Sequence, residues 1–140
     1  MRDPEIRKLD PEDVEVLDEA IRLLRDRASP APEMFLRDPR SHAFVAVDDT
    51  HVIGLAYGYE LFRPDGYWML LLYDIEVAEP HRSHGVGRSL LDAFVAFAKA
   101  KGHGKMWLFT DAGNAAARRL YEGAGGEQNE GAVGYWWVFE

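Results

Sequence analysis

Residues 73–89 read YDIEVAEPHRSHGVGRS. The stretch begins at the end of an apolar, strand-like run and finishes inside an amphipathic helix, with Arg82-Ser83-His84-Gly85-Val86-Gly87 at the junction. A helix N-terminus has free backbone N–H groups and the positive end of its dipole, so it attracts phosphate. Glycines at the approach put no Cβ in the way and permit unusual φ values, so several amides can converge on one anion. Ordinary strand-to-helix turns also use two glycines. The meaning of this one therefore depends on its flanks.

Upstream, Glu5 to Leu9 reads as a short strand, and Asp10-Pro11-Glu12-Asp13 as a helix start with Asp10 as N-cap and Pro11 at the first helical position. Val14, Leu17, Ile21 and Leu24 follow at helical spacing. Ser29 to Pro32 breaks that helix, and Glu33 to Arg37 forms a second, short one. His42 to Val47 and Val52 to Leu61 read as strands joined across Asp48-Asp49-Thr50; after the turn Arg63 to Gly66, Tyr67 to Val77 is a third, long strand. Downstream, a helix runs from Val86 to Lys101 and stops at Gly102 and Gly104. Lys105 to Thr110 reads as a strand, Asn114 to Gly123 as a helix, and Tyr135 to Phe139 as a closing strand paired with a short one at 126–129.

The order β-α-α-β-β-β-α-β-α-β-β predicts an α/β (α+β) fold: a mixed, mostly antiparallel central sheet with helices on both faces. A Rossmann domain is disfavoured, because its glycine loop follows the first strand. No Gly-Lys-Ser/Thr follows the glycines, so a kinase-type or ATPase phosphate loop is unsupported.

Bulk properties narrow the function classes. A chain of 140 residues fits one domain, 1–140, with a real core. The absence of cysteine excludes disulfides, thiolate metal sites and a covalent cysteine intermediate. His81 and His84 have no partners at metal-ligand spacing, so no metal is expected. The charged N-terminus has no signal-type apolar core and the longest apolar run, Trp68 to Tyr73, is too short to span a bilayer. A cytoplasmic protein with no membrane partner is expected. A net charge of −8 disfavours nucleic acid and suits a cationic substrate.

Three segments resemble the GNAT N-acetyltransferases, and the likeness extends over the whole chain. Arg82-x-x-Gly85-x-Gly87 is similar to the family's acyl-CoA pyrophosphate loop, Tyr73 to Val77 to the strand beside pantetheine, and Asn114-x-x-Ala117-x-x-Leu120-Tyr121-x-x-x-Gly125 to its second CoA-binding segment. The resemblance implies acetyl-CoA as cofactor. It assigns the pyrophosphate to Arg82, Ser83, His84, Gly85, Val86, Gly87, Arg88 and Ser89, and the pantetheine arm to Ile75, Val77, Asn114 and Ala117. Tyr121 is placed near the sulfur.

The chemistry needs two proton movements. A protonated amine must lose a proton before it attacks a thioester, and the departing thiolate benefits from a donor, here Tyr121. The amide of Val77 or Ala78 is a candidate carbonyl-polarising donor. Asp74 and Glu76, at i and i+2 on one strand, face one side of the sheet. They are expected to take the amine's proton and hold a cationic substrate. Plainer readings stand beside these. Tyr121 also fits a helical packing row, Asn114 an N-cap, Arg82 and Arg88 solvated charges, and one of the acidic pair an exposed sheet face or a salt bridge to an arginine.

The run from Tyr73 to Val77 followed by His81-Arg82 is most similar to the small aminoglycoside (gentamicin) 3-N-acetyltransferases. The expected acceptor is thus a small cationic amine, with Asp74, Glu76, Tyr57, Tyr59 and Asp111 on the substrate side. Alternatives are a polyamine, a peptide N-terminus or lysine lying along Tyr57, Tyr59 and the loop 32–35, and a non-catalytic acyl-CoA-binding module. Trp136 and Trp137 on the closing strand leave room for a homodimer.

Overall fold

Three consecutive strands, whose side chains alternate between two helix-covered faces, carry the sheet and decide which side chain meets which helix. The computed structural model describes residues 3–139, in two compact units divided after Phe109. The first unit contains β1 (Glu5–Lys8), α1 (Val14–Arg25), α2 (Pro32–Arg37), β2 (Ser41–Asp48), β3 (His51–Phe62), β4 (Trp68–Val77), α3 (Val86–Ala100) and β5 (Lys105–Trp107). The second contains α4 (Ala115–Gly123). The sheet order is β1-β2-β3-β4-β5. All pairs are antiparallel except β4–β5.

Helices cover both faces, as expected. On one, Ala43, Val45, Val52 and Leu55 join Leu17 and Ala20 of α1 and Leu36 of α2 in a buried cluster. On the other, Phe44 meets Phe94 of α3 at a ring-centroid distance of 4.9 Å. Phe94 is wholly buried, and full burial of such a side chain contributes about 1.5–3 kcal/mol. Gly54 lets the start of α3 approach the sheet: a Cβ there would lie 3.1 Å from Leu90 and 3.2 Å from Val86.

Register then sets up the site. Tyr57 pairs with Asp74 and Gly58 with Leu72, so Tyr73 is an extra residue in β4. This bulge shifts the alternation by one position, and Tyr73 joins Tyr57 and Tyr59 on the α1/α2 side, with ring centroids 5.7 and 6.1 Å away. Gly58 permits the close approach, since a Cβ would meet the Leu71 carbonyl oxygen at 2.4 Å. Strands β4 and β5 pair only over Met69–Leu71 and Lys105–Trp107. Beyond Leu71 the outer edge of β4 carries no ladder partner among the described residues.

Several boundaries differ from the sequence reading. α1 starts at Val14 with Asp13 as N-cap. Asp10 instead closes an Asx turn: its Oδ1 accepts the Glu12 N–H at 2.8 Å, and its carbonyl accepts the Asp13 N–H. β5 stops at Trp107 rather than Thr110 because its pairing with β4 ends there, although β4 itself continues to Val77. The two closing strands, at 126–129 and 135–139, are absent. A strand requires a hydrogen-bonded neighbour, and α4 is the only regular element of the second unit among the described residues. Trp136 and Trp137 are accordingly exposed. Among the described residues no helix is long and apolar enough to cross a membrane.

Candidate functional site

The open edge of β4 and the start of α3 form one continuous run of backbone. Ala78 donates its N–H to the Ile53 carbonyl at 2.8 Å, and this fixes the phase of the β3–β4 ladder. Antiparallel pairs alternate between exchanging and non-exchanging hydrogen bonds, so Asp74 and Glu76 bond inward to β3. Ile75 and Val77 turn their N–H and C=O groups to the open edge. Ala78, expected as an alternative carbonyl-polarising donor, is therefore corrected: its amide is already used inside the sheet. Val77 keeps its outward N–H, while its carbonyl accepts Arg82 Nε at 3.0 Å.

A single 3-10 turn, Glu79–His81, carries the chain from β4 to the glycine loop. Ser83 (φ 65°) and Gly85 (φ 84°) are both left-handed. Gly85 is the N-cap of α3 and makes no side-chain cap hydrogen bond. Nothing lies within 4 Å of where its Cβ would be; the backbone conformation, rather than space, demands glycine. The first-turn amides of Val86, Gly87 and Arg88 have no carbonyl one turn back within the helix. With the left-handed residues before them they make an anion cradle, and these residues fit a pyrophosphate. Ser89 is turned back to the Gly85 carbonyl at 3.1 Å, and Arg88 pairs with Asp92 at 2.9 Å. His84 and Arg82 are exposed on the same loop.

On the α1/α2 side, Asp74 and Glu76 do share one face, and they share it with Arg25. Arg25 Nη2 lies 2.6 Å from Asp74 Oδ2 and its Nε 2.9 Å from Glu76 Oε2. The salt-bridged reading of the acidic pair is thus the observed one. Burial and the neighbouring Asp74 charge raise the Glu76 pKa, with Arg25 opposing. Burial, then Asp74, pushes the Tyr57 phenol up to about 12. Burial also raises Tyr59. Phe35 of α2 packs edge-on to Tyr57 and Tyr59 at 6.1 and 6.0 Å. The face is an aromatic wall with a carboxylate pair at its end.

The second unit presents α4. Asn114 caps it, its Oδ1 accepting the Ala117 N–H at 3.1 Å, so the N-cap reading of Asn114 holds. The Asp111 carbonyl accepts the Asn114 N–H at 2.9 Å. Tyr121 lies in the last turn of the helix, and its carbonyl accepts the Gly126 N–H at 2.9 Å.

Two features escaped the sequence. Arg25 had no motif to mark it. Farther along β3, Glu60 is buried between two histidines, with His42 Nε2 2.5 Å from Oε1 and His103 Nε2 2.7 Å from Oε2. His42 and Glu60 were hidden inside strand patterns, and His103 in the break after α3.

Comparison with known proteins agrees with this geometry. The model of the acetyltransferase (GNAT) family matches residues 5–125. Streptothricin acetyltransferase of Streptomyces lavendulae is 37% identical over 90 residues, which cover 63% of this chain and 46% of that protein. The match thus spans about half the length of that curated relative. An aminoglycoside acetyltransferase from an uncultured soil metagenomic sample, solved with trehalose, superposes at TM-score 0.88 with 20% identity, over 98% of this chain and 97% of its own. The structure of AAC(6')-Iy with the bisubstrate analogue CoA-S-monomethyl-acetylneamine gives TM-score 0.80 at 20% identity, over 99% and 100%. At these identities the two structures establish the fold. The family model spans both the glycine loop and the α4 segment, and the chain belongs to the GNAT acetyltransferase family.

Proposed function

We propose that the chain is an acetyl-CoA-dependent N-acetyltransferase acting on a small cationic amine, an aminoglycoside at its 3-amino group, with residues 1–140 as one catalytic domain. The observation that carries the reading is the continuity of the open Ile75–Val77 edge with the Gly85 cap of α3, beside the Asp74–Glu76 face. The aminoglycoside and its position are supported by the Tyr73 to Val77 run followed by His81-Arg82. The streptothricin and aminoglycoside relatives favour the same class of acceptor.

When bound, acetyl-CoA supplies an acetyl group activated as a thioester. The loop amides from Ser83 to Arg88 bind the pyrophosphate, and the outward groups of Ile75 and Val77, with Asn114 and Ala117, hold the pantetheine arm, a strand-addition contact. Asp74 or Glu76, directly or through water, takes one proton from the acceptor ammonium. The Val77 N–H would polarise the thioester carbonyl for attack by the acceptor nitrogen. Tyr121 would give a proton to the sulfur that leaves with the C–S electron pair and would be reprotonated by water, the new amide nitrogen losing its second proton to solvent. With no cysteine in the chain, direct transfer is the simplest route.

The competing acceptor is a peptide N-terminus or lysine, favoured by the aromatic wall of Phe35, Tyr57, Tyr59 and Tyr73. A free-thiol assay of CoA release with acetyl-CoA and a panel of aminoglycosides, polyamines and peptides separates the two. Release with sisomicin or gentamicin, and a product acetylated at the 3-amino group by NMR, supports the proposal. Turnover with peptides alone overturns the acceptor assignment, and no turnover with any amine overturns the enzyme.

A further inference from the structure

This inference rests on the reading of Asp74 and Glu76 as the acceptor-binding pair. That pair already holds a cation, supplied by the chain itself. Arg25 reaches Asp74 through Nη2 and Glu76 through Nε, so one guanidinium spans both carboxylates. Arg25 is the last residue of α1 and is followed by Asp26 in a left-handed conformation. The buried residues of α1, Leu17 and Ala20, lie further up the helix. The guanidinium can therefore leave without unpacking the core.

The exposures point the same way. The side chains of Arg25, Asp74 and Glu76 are 34%, 33% and 30% exposed, so the contact lies at a mouth that water reaches. Ion pairs this wet are weak and exchange readily. Vacating both carboxylates without a replacement is unfavourable, however, because the two are partly buried two positions apart on one face: burial first, and then the Asp74 charge, disfavours the ionised form of Glu76. Whatever displaces Arg25 must bring positive charge of its own, best from two ammonium groups spaced to meet both carboxylates. Tyr57, with its phenol held neutral, and Arg82 are the other titratable groups acting on this pair.

We propose that Arg25 is a resident competitor for the acceptor: it occupies Asp74 and Glu76 until a polycationic amine displaces it, and so selects polyamines over monoamines.

The test is binding by calorimetry without CoA, so that no turnover is needed. The titrants are sisomicin as polycation and methylamine as monocation, with wild type, Arg25→Gln, Arg25→Met and Arg25→Lys. Removing the competitor is expected to tighten sisomicin about fivefold, more at low salt, on the scale of partly exposed ion pairs. The preference for sisomicin over methylamine should narrow. Arg25→Lys keeps a competing charge and should stay near wild type, while CoA affinity is unchanged throughout. Thermal melting checks folding, and Arg25→Met retains the aliphatic stem should the glutamine variant be unstable. Equal or weaker sisomicin binding in both neutral variants overturns the proposal, as does failure of sisomicin to bind any variant. Sisomicin that binds more tightly to Arg25→Gln but is never acetylated would support the competitor and defeat the transferase reading instead.

Discussion

Arg82 donates its Nε–H to the carbonyl oxygen of Val77 across 3.0 Å, tying the glycine loop to the last residue of β4. One contact thus couples the anion cradle to the strand edge meant for the pantetheine arm. Arg82→Ala removes a positive charge from the loop together with this brace. A charge-assisted hydrogen bond of this kind is worth about 1.5–3 kcal/mol. The acetyl-CoA KM should rise roughly tenfold, with kcat close to wild type, in a steady-state assay. An unaltered KM would mark Arg82 as a solvated charge.

Tyr121→Phe deletes the phenol while preserving the ring. If Tyr121 protonates the departing sulfur, kcat should fall about a hundredfold, and CoA affinity measured by calorimetry should be retained. An unchanged kcat would show that the ring only packs, and equal loss of both would overturn the acid assignment.

Glu76 has a raised pKa, caused by burial and by Asp74. A raised carboxyl stays protonated to higher pH, so its base form appears only as pH climbs past the ordinary value of 4.5. The acid limb of kcat/KM should accordingly lie above 4.5. Replacing Glu76 with Gln should abolish that limb if Glu76 is the base; a limb that persists unchanged would pass the role to Asp74 or to water.

His42 has a lowered pKa, set by burial and opposed by the hydrogen bond that its ring N–H donates to Glu60. Its folded value lies below the unfolded value of 6.5, so between the two the unfolded chain binds the proton and the folded chain does not. The associated stability is fully present above 6.5 and is lost as pH falls through the folded pKa. Urea midpoints should drop between pH 8 and pH 5.5, and His42→Gln should flatten that drop. An identical slope in the variant would place the sensitivity elsewhere.

Gly58 stands opposite the Tyr73 bulge, where a Cβ would lie 2.4 Å from the Leu71 carbonyl oxygen. Backbone cannot yield as a side-chain tip can, so Gly58→Ala should cost about 2 kcal/mol. If the bulge aims Asp74 at the acceptor face, acceptor KM should suffer more than CoA affinity. A melting temperature equal to wild type would mean that the bulge is soft.

The sequence by itself determined the elements whose signals are local. The strand-like runs 42–47 and 52–61 joined by the turn cluster Asp48-Asp49-Thr50, the helical spacing of Val14, Leu17, Ile21 and Leu24, and glycines before a helix all act within a few residues. They sufficed for the helices, the three central strands, the phosphate-type loop and the family. Tertiary structure decided what those elements do to one another. Arg25 meets Asp74 and Glu76 across 49 and 51 residues of chain, a contact that no spacing rule encodes. The bulge at Tyr73 and the engagement of the Ala78 amide depend on the register of two strands, and the closing strands failed for want of a paired neighbour. Periodicity tells a residue which side it faces; register and packing choose its partner, because both are set by segments far apart in the chain.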